Sequence, residues 1–453
     1  MSKDKKKQIY KPKPISGFPE WLPELRVIEQ QWLDKIRAVY ESYGYCNIET
    51  PSVEELGVIA AKGEDVDKEI YVLERLQADP DDKKDARLAL HFDQTVPFAR
   101  YVAQNFNDLT FPFKRYQMQR VWRGERPQMG RMREFYQCDI DVINVDALPI
   151  AFDAEVASIC YEALEALDIG RVQLRISNRK ILMGLFQYLE IPDYFHKELL
   201  NLIDKRDKLG QSEFERLFKE FTDKLGMSSD VLKTFKNFTA FFSDETLKKN
   251  KSWVKSLEEV KAQNKGINPL MDEGVDELIS VFSDLDHLPL HAVIPDIHIV
   301  RGLDYYTGTV YETALLDVKE FSGSVCSGGR YDDLASSYIN KKLPGVGISI
   351  GFTRLFDVMR QTGKITPGPK SPAKVLVVLP EEAQRAQMND VARSLRRRGI
   401  NTETAHGGKL KRQIAYAEKK GIPYIWFPAD GQVKDMASGE QVDADAATWE
   451  SEA

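Results

Sequence analysis

No run in the sequence approaches the ~18 consecutive apolar residues of a membrane-spanning helix, so no membrane segment is expected. Cysteine is scarce. Cys46, Cys138, Cys160 and Cys326 are the only four in 453 residues, far apart and without a CxxC pair. That spacing speaks against a structural zinc site or a disulfide framework and for a reducing compartment, the cytoplasm. The six histidines form no HExxH-type spacing, so no metal centre is expected, and no Ser/Cys–His triad can be read from their order. Neither GxxxxGK[ST] nor a GxGxxG after a first strand occurs, which removes the commonest nucleotide-binding loops. A formal net charge of −7 gives no overall pull toward nucleic acid, so any such contact must use a local basic face. The basic start MSKDKKKQIYKPKP lacks both an apolar secretory core and an Arg/Ser-rich amphipathic run; residues 1–14 read as a solvated tail.

What is present is a globular composition, 42% hydrophobic and 29% charged, at a length that calls for two to four domains. Helical spacing over 20–43 stops at Gly44, and GYCNIETP reads as a strand entering a break at Pro51. A strand at 87–92 precedes a helix starting near Pro97. Residues 113–145 give the strongest sheet signal, two strands of an antiparallel hairpin joined by the long loop 123–133. A helix at 153–168 and the strand RVQLRISN follow. From 196 to 290 Lys-, Glu- and Leu-rich helices dominate, as in a helical insertion. Strand character is expected again from 297 through IHIVRGLDYYTGTVYET, then in SVCSGGRYDDL and in VGISIGFTRLFDVMR, which ends in a helix. QTGKITPGPKSPAK reads as a linker. The alternation beyond it predicts a small α/β domain with parallel pairing. The expected division is 15–195 with 291–362 as a discontinuous first domain, 196–290 as the insertion, 363–373 as linker and 374–453 as the last domain.

Loop 123–133 holds Arg123, Arg126, Arg131 and Arg133 beside Glu125, Gly124, Pro127 and Gly130. It can be a solvated hairpin tip, or a clamp in which planar guanidinium forks grip phosphates. Arg301 and Arg354 add two more arginines at the ends of other strand-like segments, and such a set would offset charge developing on a phosphoryl centre. The acids sit apart from it. Asp139 and Asp141 alternate along QCDIDVI and share a face with Gln137. Asp93 and Thr95 alternate likewise in HFDQT. Gln137, Asp141, Asp93 and Thr95 together offer acceptors to a small cationic ligand. With Arg301 and Tyr306 nearby, a ligand with a negative end and a donor end fits, and an amino acid is the simplest such molecule. Residues 374–420 collect a basic patch, including Arg393, Arg396, Arg397, Arg398, Lys411, Arg412 and Lys419, which fits either a localised nucleic-acid contact or solvated helix faces.

VRGLDYYTGTVYE and CSGGRYDDL, in that order after the arginine loop, resemble the two histidine-specific signatures of histidyl-tRNA synthetases. WRGERPQMGRMREFYQCDID is similar to motif 2 of the class II aminoacyl-tRNA synthetases, GVGISIGFTRLFDVM to motif 3, and GYCNIETP to motif 1, the element of the dimer interface. KLKRQIAYAEKKGIPYIWF is similar to their anticodon-binding domain. The resemblance implies an α+β fold: an antiparallel sheet core with flanking helices, a helical insertion and a C-terminal α/β domain. It also implies ATP as substrate with Mg²⁺, L-histidine, the histidine tRNA and a homodimer. By the same resemblance Arg123 holds the α-phosphate and the amino-acid carboxylate, and Arg131 and Arg354 hold the outer phosphates. Glu125 and Phe135 lie at the adenine, while Asp93, Thr95 and Gln137 receive the α-amino group. Asp141 and Tyr306 bond the imidazole, Tyr305, next to Tyr306 in RGLDYY, also binds the substrate, and Ser327 and Gly328 line the imidazole pocket. Arg301 faces the α-phosphate during attack. His91, Gln94 and Gly124 depart from the usual family residues. A non-catalytic relative serving as a regulatory or histidine-sensing subunit is the rival reading.

Overall fold

The computed structural model describes residues 10–59, 69–77, 88–227, 231, 233–235, 251–300, 306–332, 335 and 338–451. The chain divides into two compact units, 1–19 with 33–364 and 20–32 with 365–453. The expected helix 196–290 region lies in the first.

The first unit is built on an eight-stranded sheet. Its strands are β1 (Cys46–Asn47), β5 (Phe113–Trp122), β6 (Glu134–Ile143), β7 (Val172–Asn178), β8 (Val293–Pro295), β9 (Tyr306–Leu315), β10 (Cys326–Tyr331) and β11 (Gly345–Ile350). They lie in the order β1-β5-β6-β11-β10-β9-β7-β8. The edge pairs β1–β5 and β7–β8 are parallel and every internal pair is antiparallel. A small sheet of β2 (Val53–Glu55), β3 (Val72–Leu73) and β4 (Leu88–Leu90) stands in the order β2-β4-β3. The 113–145 hairpin forms as its alternation demands, with Trp122 opposite Glu134 and Phe113 opposite Ile143.

Because side chains alternate across a strand, the two faces of the large sheet differ in chemistry. Cys138, Ile140, Ile348 and Ile350 are fully or almost fully buried, and the helix Ala151–Glu165 packs on this side of β6, β7 and β11. Burial at about 25 cal/mol per Å² of apolar surface is what holds that layer. Arg330 locks it with a buried pair, its Nε donating to Asp153 Oδ1 at 3.1 Å and its Nη1 to the Leu148 carbonyl at 3.1 Å. Cys160 and Cys326, remote in sequence, bring their sulfurs to 3.0 Å there, and all four cysteines are free thiols. On the opposite face the register aligns Gln117, Asp139, Ser349, Ser327 and Glu312 in one polar row across five adjacent strands.

Strand structure, expected from 297, is absent at 297–300 and present over Tyr306–Leu315 among the described residues. Residues 297–298 are a turn, because the Asp296 carboxylate captures the His298 backbone N–H at 2.9 Å and its Nδ1 at 3.0 Å. Burial opposes ionisation of Asp296, but the His298 bonds and the Arg175 charge bring its pKa down to about 2. Within the 196–290 stretch, the helix Pro269–Asp284 packs on the helix Arg179–Tyr188. Two glycines permit the approach, since a Cβ at Gly184 would lie 2.5 Å from the Met271 backbone and one at Gly274 2.9 Å from that of Ile181.

The second unit holds a five-stranded sheet in the order β13-β12-β14-β15-β16, formed by β12 (Val375–Val377), β13 (Thr402–Thr404), β14 (Tyr424–Phe427), β15 (Gln432–Asp435) and β16 (Gln441–Asp443). β12 pairs in parallel with β13 and β14, as the alternation predicts. The antiparallel β15–β16 ribbon was not legible in that polar, acidic stretch. The helices Arg385–Arg397 and Leu410–Lys420 cover a core around Val375, Val377, Leu395 and Trp426. Gly368, in the expected linker, docks on the first helix through its N–H to the Glu24 carbonyl at 2.9 Å.

Candidate active site

A cavity of about 640 Å³ opens over the polar row, and a smaller one adjoins it. Arg123, Arg131, Arg354, Gln137 and Ser327 border both. Asp93, Thr95, Tyr306 and Gly328 line the larger, Glu125 and Phe135 the smaller.

The arginines are held by backbone and ring. Arg123 donates from Nε to the Phe92 carbonyl at 3.0 Å, and its guanidinium carbon stands 5.2 Å from the Phe135 ring centroid. Arg131 pairs through Nε with Glu125 at 2.8 Å. Residues 128 and 131 exchange backbone hydrogen bonds of 3.0 and 2.8 Å, closing the loop tip. Gly130 sits in it at φ +69°, where L side chains are rare. Its carbonyl accepts Arg354 Nε at 2.7 Å, and Arg354 Nη1 reaches the Ser324 carbonyl at 3.0 Å. One glycine thus ties the loop to an arginine in the first turn of the helix Phe352–Gln361. Of the other loop arginines, Arg126 is exposed and Arg133 spends its Nε on the Glu125 carbonyl at 3.1 Å; neither borders either of these two cavities.

The acceptor end is buried. Asp93 Oδ1 accepts the Val96 N–H at 3.1 Å at the start of the helix Thr95–Gln104. Gln137 Nε2 donates to Ser349 Oγ at 2.6 Å, and Ser349 hydrogen-bonds the Asp139 carboxyl. Asp93 Oδ2, Gln137 Oε1 and Asp139 Oδ1 have no hydrogen-bond partner among the described residues. Burial pushes the Asp139 pKa up to about 7; Arg115 and Ser349 oppose this, and Asp141 and Asp93 add to it.

Asp141 sits in a buried ion pair. It borders neither cavity: its carboxylate pairs with Arg115 Nη2 at 2.6 Å and accepts the Tyr331 hydroxyl at 3.0 Å. Arg115 is fully buried, with its guanidinium 4.3 Å from the Phe98 ring centroid. The physical reason is the glycine opposite, for a Cβ at Gly347 would fall 2.1 Å from Asp141 Oδ1. Gly329 does the same for Tyr306, whose ring would lie 2.7 Å from an added Cβ. The glycines of CSGGRYDDL and GVGISIG therefore let one carboxylate and one phenol ring lie flat on the sheet. Arg301 and Tyr305 fall outside the described residues.

Two of the departing residues are structural. Gln94 is fully buried and donates to the carbonyls of Gln119 at 2.9 Å and Gln137 at 3.1 Å, joining β5 to β6. His91, also fully buried, has Nε2 2.7 Å from the Arg120 carbonyl, and burial lowers its pKa, which keeps it neutral. Gly124 donates its N–H to the Glu69 carbonyl at 2.8 Å. Sequence reasoning passed over Ser349, Glu312 and Phe321 at the cavity. Alternation in VGISIG and TVYET marks the first two; Phe321 carried no signal.

Residues 17–355 match the family described as histidyl-tRNA synthetase, and 374–446 the anticodon binding domain. A histidine–tRNA ligase of Thermobifida fusca is 50% identical over 98% of this chain and 99% of its own length. The chain belongs to the histidyl-tRNA synthetase family. A histidine–tRNA ligase of Micrococcus luteus is 43% identical over 96% of this chain and 95% of its own. The crystal structure of histidyl-tRNA synthetase from Nostoc superposes with a TM-score of 0.84 at 38% identity, covering 96% of this chain and 97% of that one. The class II synthetase fold of the family, α+β with an anticodon-binding domain, accounts for the eight-stranded sheet of the first unit and the five-stranded sheet of the second. No helix among the described residues is long and apolar enough to cross a membrane.

Proposed function

We propose that this chain ligates L-histidine to the histidine tRNA in two steps. A carboxylate oxygen of histidine attacks the α-phosphorus of ATP; the bond to the β-phosphate bridging oxygen breaks, and pyrophosphate leaves with that electron pair. A terminal ribose hydroxyl of the tRNA then attacks the adenylate carbonyl, its proton is lost, and AMP departs. ATP enters as its magnesium complex, so Mg²⁺ arrives with substrate.

One observation carries the reading: arginines and unpaired acceptors border a single cavity, as a ligand with anionic and cationic ends requires. Arg123 serves the α-phosphate and carboxylate, Arg131 and Arg354 the outer phosphates, and Phe135 with Glu125 the adenine. Asp93 and Gln137, with Thr95 beside them, surround the α-ammonium group. Tyr306, Ser327 and Gly328 bound the imidazole, and Asp141 reaches it only by sharing its pair with Arg115. The role of Arg301 at the α-phosphate, with Tyr305 beside it, rests on the RGLDYY resemblance alone. Alignment and positive groups that tighten in the transition state supply the rate, without a covalent enzyme intermediate. The protein acts as a cytoplasmic homodimer, with 196–290 an insertion in the catalytic domain and 374–453 the anticodon-binding domain. Amino-acid-dependent ATP–pyrophosphate exchange tests the first step, and exchange with histidine is the expected result. A regulatory subunit would bind histidine without exchange.

A further inference from the structure

Three acceptor atoms, Asp93 Oδ2, Gln137 Oε1 and Asp139 Oδ1, belong to residues that line the larger cavity and are 4%, 8% and 3% exposed. None has a hydrogen-bond partner among the described residues. Buried acceptors without donors are costly, and two of these belong to carboxyl groups. Two segments of the chain bring them together. Gln137 and Asp139 are neighbours on one face of β6, and the Asp93 charge acts on Asp139 from the segment before the helix Thr95–Gln104. Ser349 on β11 fixes their orientation, accepting from the Gln137 amide and bonding Asp139. Arg115 and Asp141 are the other charged groups acting on Asp139. A ligand that satisfies the set must bring several N–H donors on one small positive centre. An ammonium group has three.

We propose that Asp139 is a substrate-binding residue: with Asp93 and Gln137 it accepts one of the three hydrogen bonds of the α-ammonium group of bound histidine. This rests on the function proposed above and adds a contact that the motif resemblance does not assign. An imidazole, planar and with at most two N–H groups, cannot match three acceptors. In the empty site burial favours the protonated carboxyl; an ammonium ion beside it favours the carboxylate. Histidine binding therefore expels a proton from Asp139, which makes affinity rise as pH passes upward through about 7.

The test uses the full-length protein, Asp139→Asn and Asp139→Ser. In histidine-dependent pyrophosphate exchange, Asp139→Asn raises the histidine KM roughly 10–100-fold, the scale of one lost charge-assisted hydrogen bond. kcat and the ATP KM stay within about threefold on the same accounting of ground-state contacts. Inhibition by histidinol, which keeps the ammonium group, weakens equally. Inhibition by 3-(imidazol-4-yl)propionate, which lacks it, is unchanged. The ratio of variant to wild-type KM grows between pH 6 and about pH 8; titration of the free imidazole is common to both proteins and cancels. Thermal melting confirms folding, and Asp139→Ser repeats the comparison if the amide destabilises the sheet. A wild-type histidine KM in both folded variants overturns the proposal, as does equal weakening of the deaminated analogue. Absence of exchange in the wild-type protein would instead overturn the functional reading beneath it.

Discussion

Asp141 shows how a residue's surroundings can reverse the meaning of its substitution. On sequence alone Asp141→Ala is a specificity change. In the structure it strips the partner from Arg115, a fully buried guanidinium. Leaving such a charge uncompensated costs about 3–5 kcal/mol. Asp141→Ala is therefore expected to lower the urea midpoint sharply, and the double change Arg115→Met with Asp141→Leu to recover most of that loss. Equal stability of wild type and Asp141→Ala would show that the pair contributes nothing. Asp139, two residues away on the same strand face, has the opposite sign. Its folded pKa of about 7 exceeds that of an unfolded carboxyl, so the folded state holds the proton longer. Its contribution to stability is full below pH ~4 and declines as pH rises to about 7. Asp139→Asn should therefore melt relatively higher than wild type as pH increases from 5 to 8. A pH-independent difference in melting temperature would contradict the assignment.

At the level of elements, the hairpin 113–143 and its arginine loop were legible because two periods of alternation bracket a Gly- and Pro-marked break. The loop's inner geometry was not. Which arginines face the cavity depends on Gly130, and that glycine matters through contacts with Arg354, distant in sequence. A Cβ at Gly130 would come within 3.1 Å of the Arg354 and Phe321 side chains in a backbone conformation hostile to L residues. Gly130→Ala should thus displace Arg354, raise the ATP KM several-fold and leave the histidine KM nearly unchanged, as expected when one substrate's contacts alone are lost. Equal effects on both substrates in the exchange assay would contradict this division of the cavity. The strand character read at 297–300 fails for a related reason. Ile297–Val300 are apolar enough for a strand, but a local carboxylate, Asp296, competes for the backbone N–H that a sheet would need. Glycine-rich CSGGRYDDL and GVGISIG read as strands correctly, yet nothing in them disclosed that their glycines make room for Asp141 and Tyr306.

Across the whole molecule, the basic run of the second unit proves to be two populations. Arg385 and Arg393 pair with nearby acids, Arg396 donates to the Thr402 carbonyl at 2.7 Å, and Arg398 binds carbonyls at the C-terminal end. Arg397, Lys411, Arg412 and Lys419 stay exposed. Their combined replacement by Gln should leave pyrophosphate exchange intact, raise the tRNA KM and flatten its salt dependence by about 0.7–0.9 per lost phosphate contact. Unchanged charging at every salt concentration would place the tRNA contact elsewhere. Composition had located this patch, but only the fold separates side chains bound to their own backbone from those offered outward.

The central claim is that one cavity activates histidine and no other amino acid. ATP–pyrophosphate exchange, run on the purified full-length protein with each of the twenty amino acids in turn, tests it most directly. A site built to hydrogen-bond its substrate should reject analogues lacking those groups by about 10⁴-fold or more. The account predicts exchange with histidine alone. Exchange driven by another amino acid, or histidine binding with no exchange at all, would contradict it.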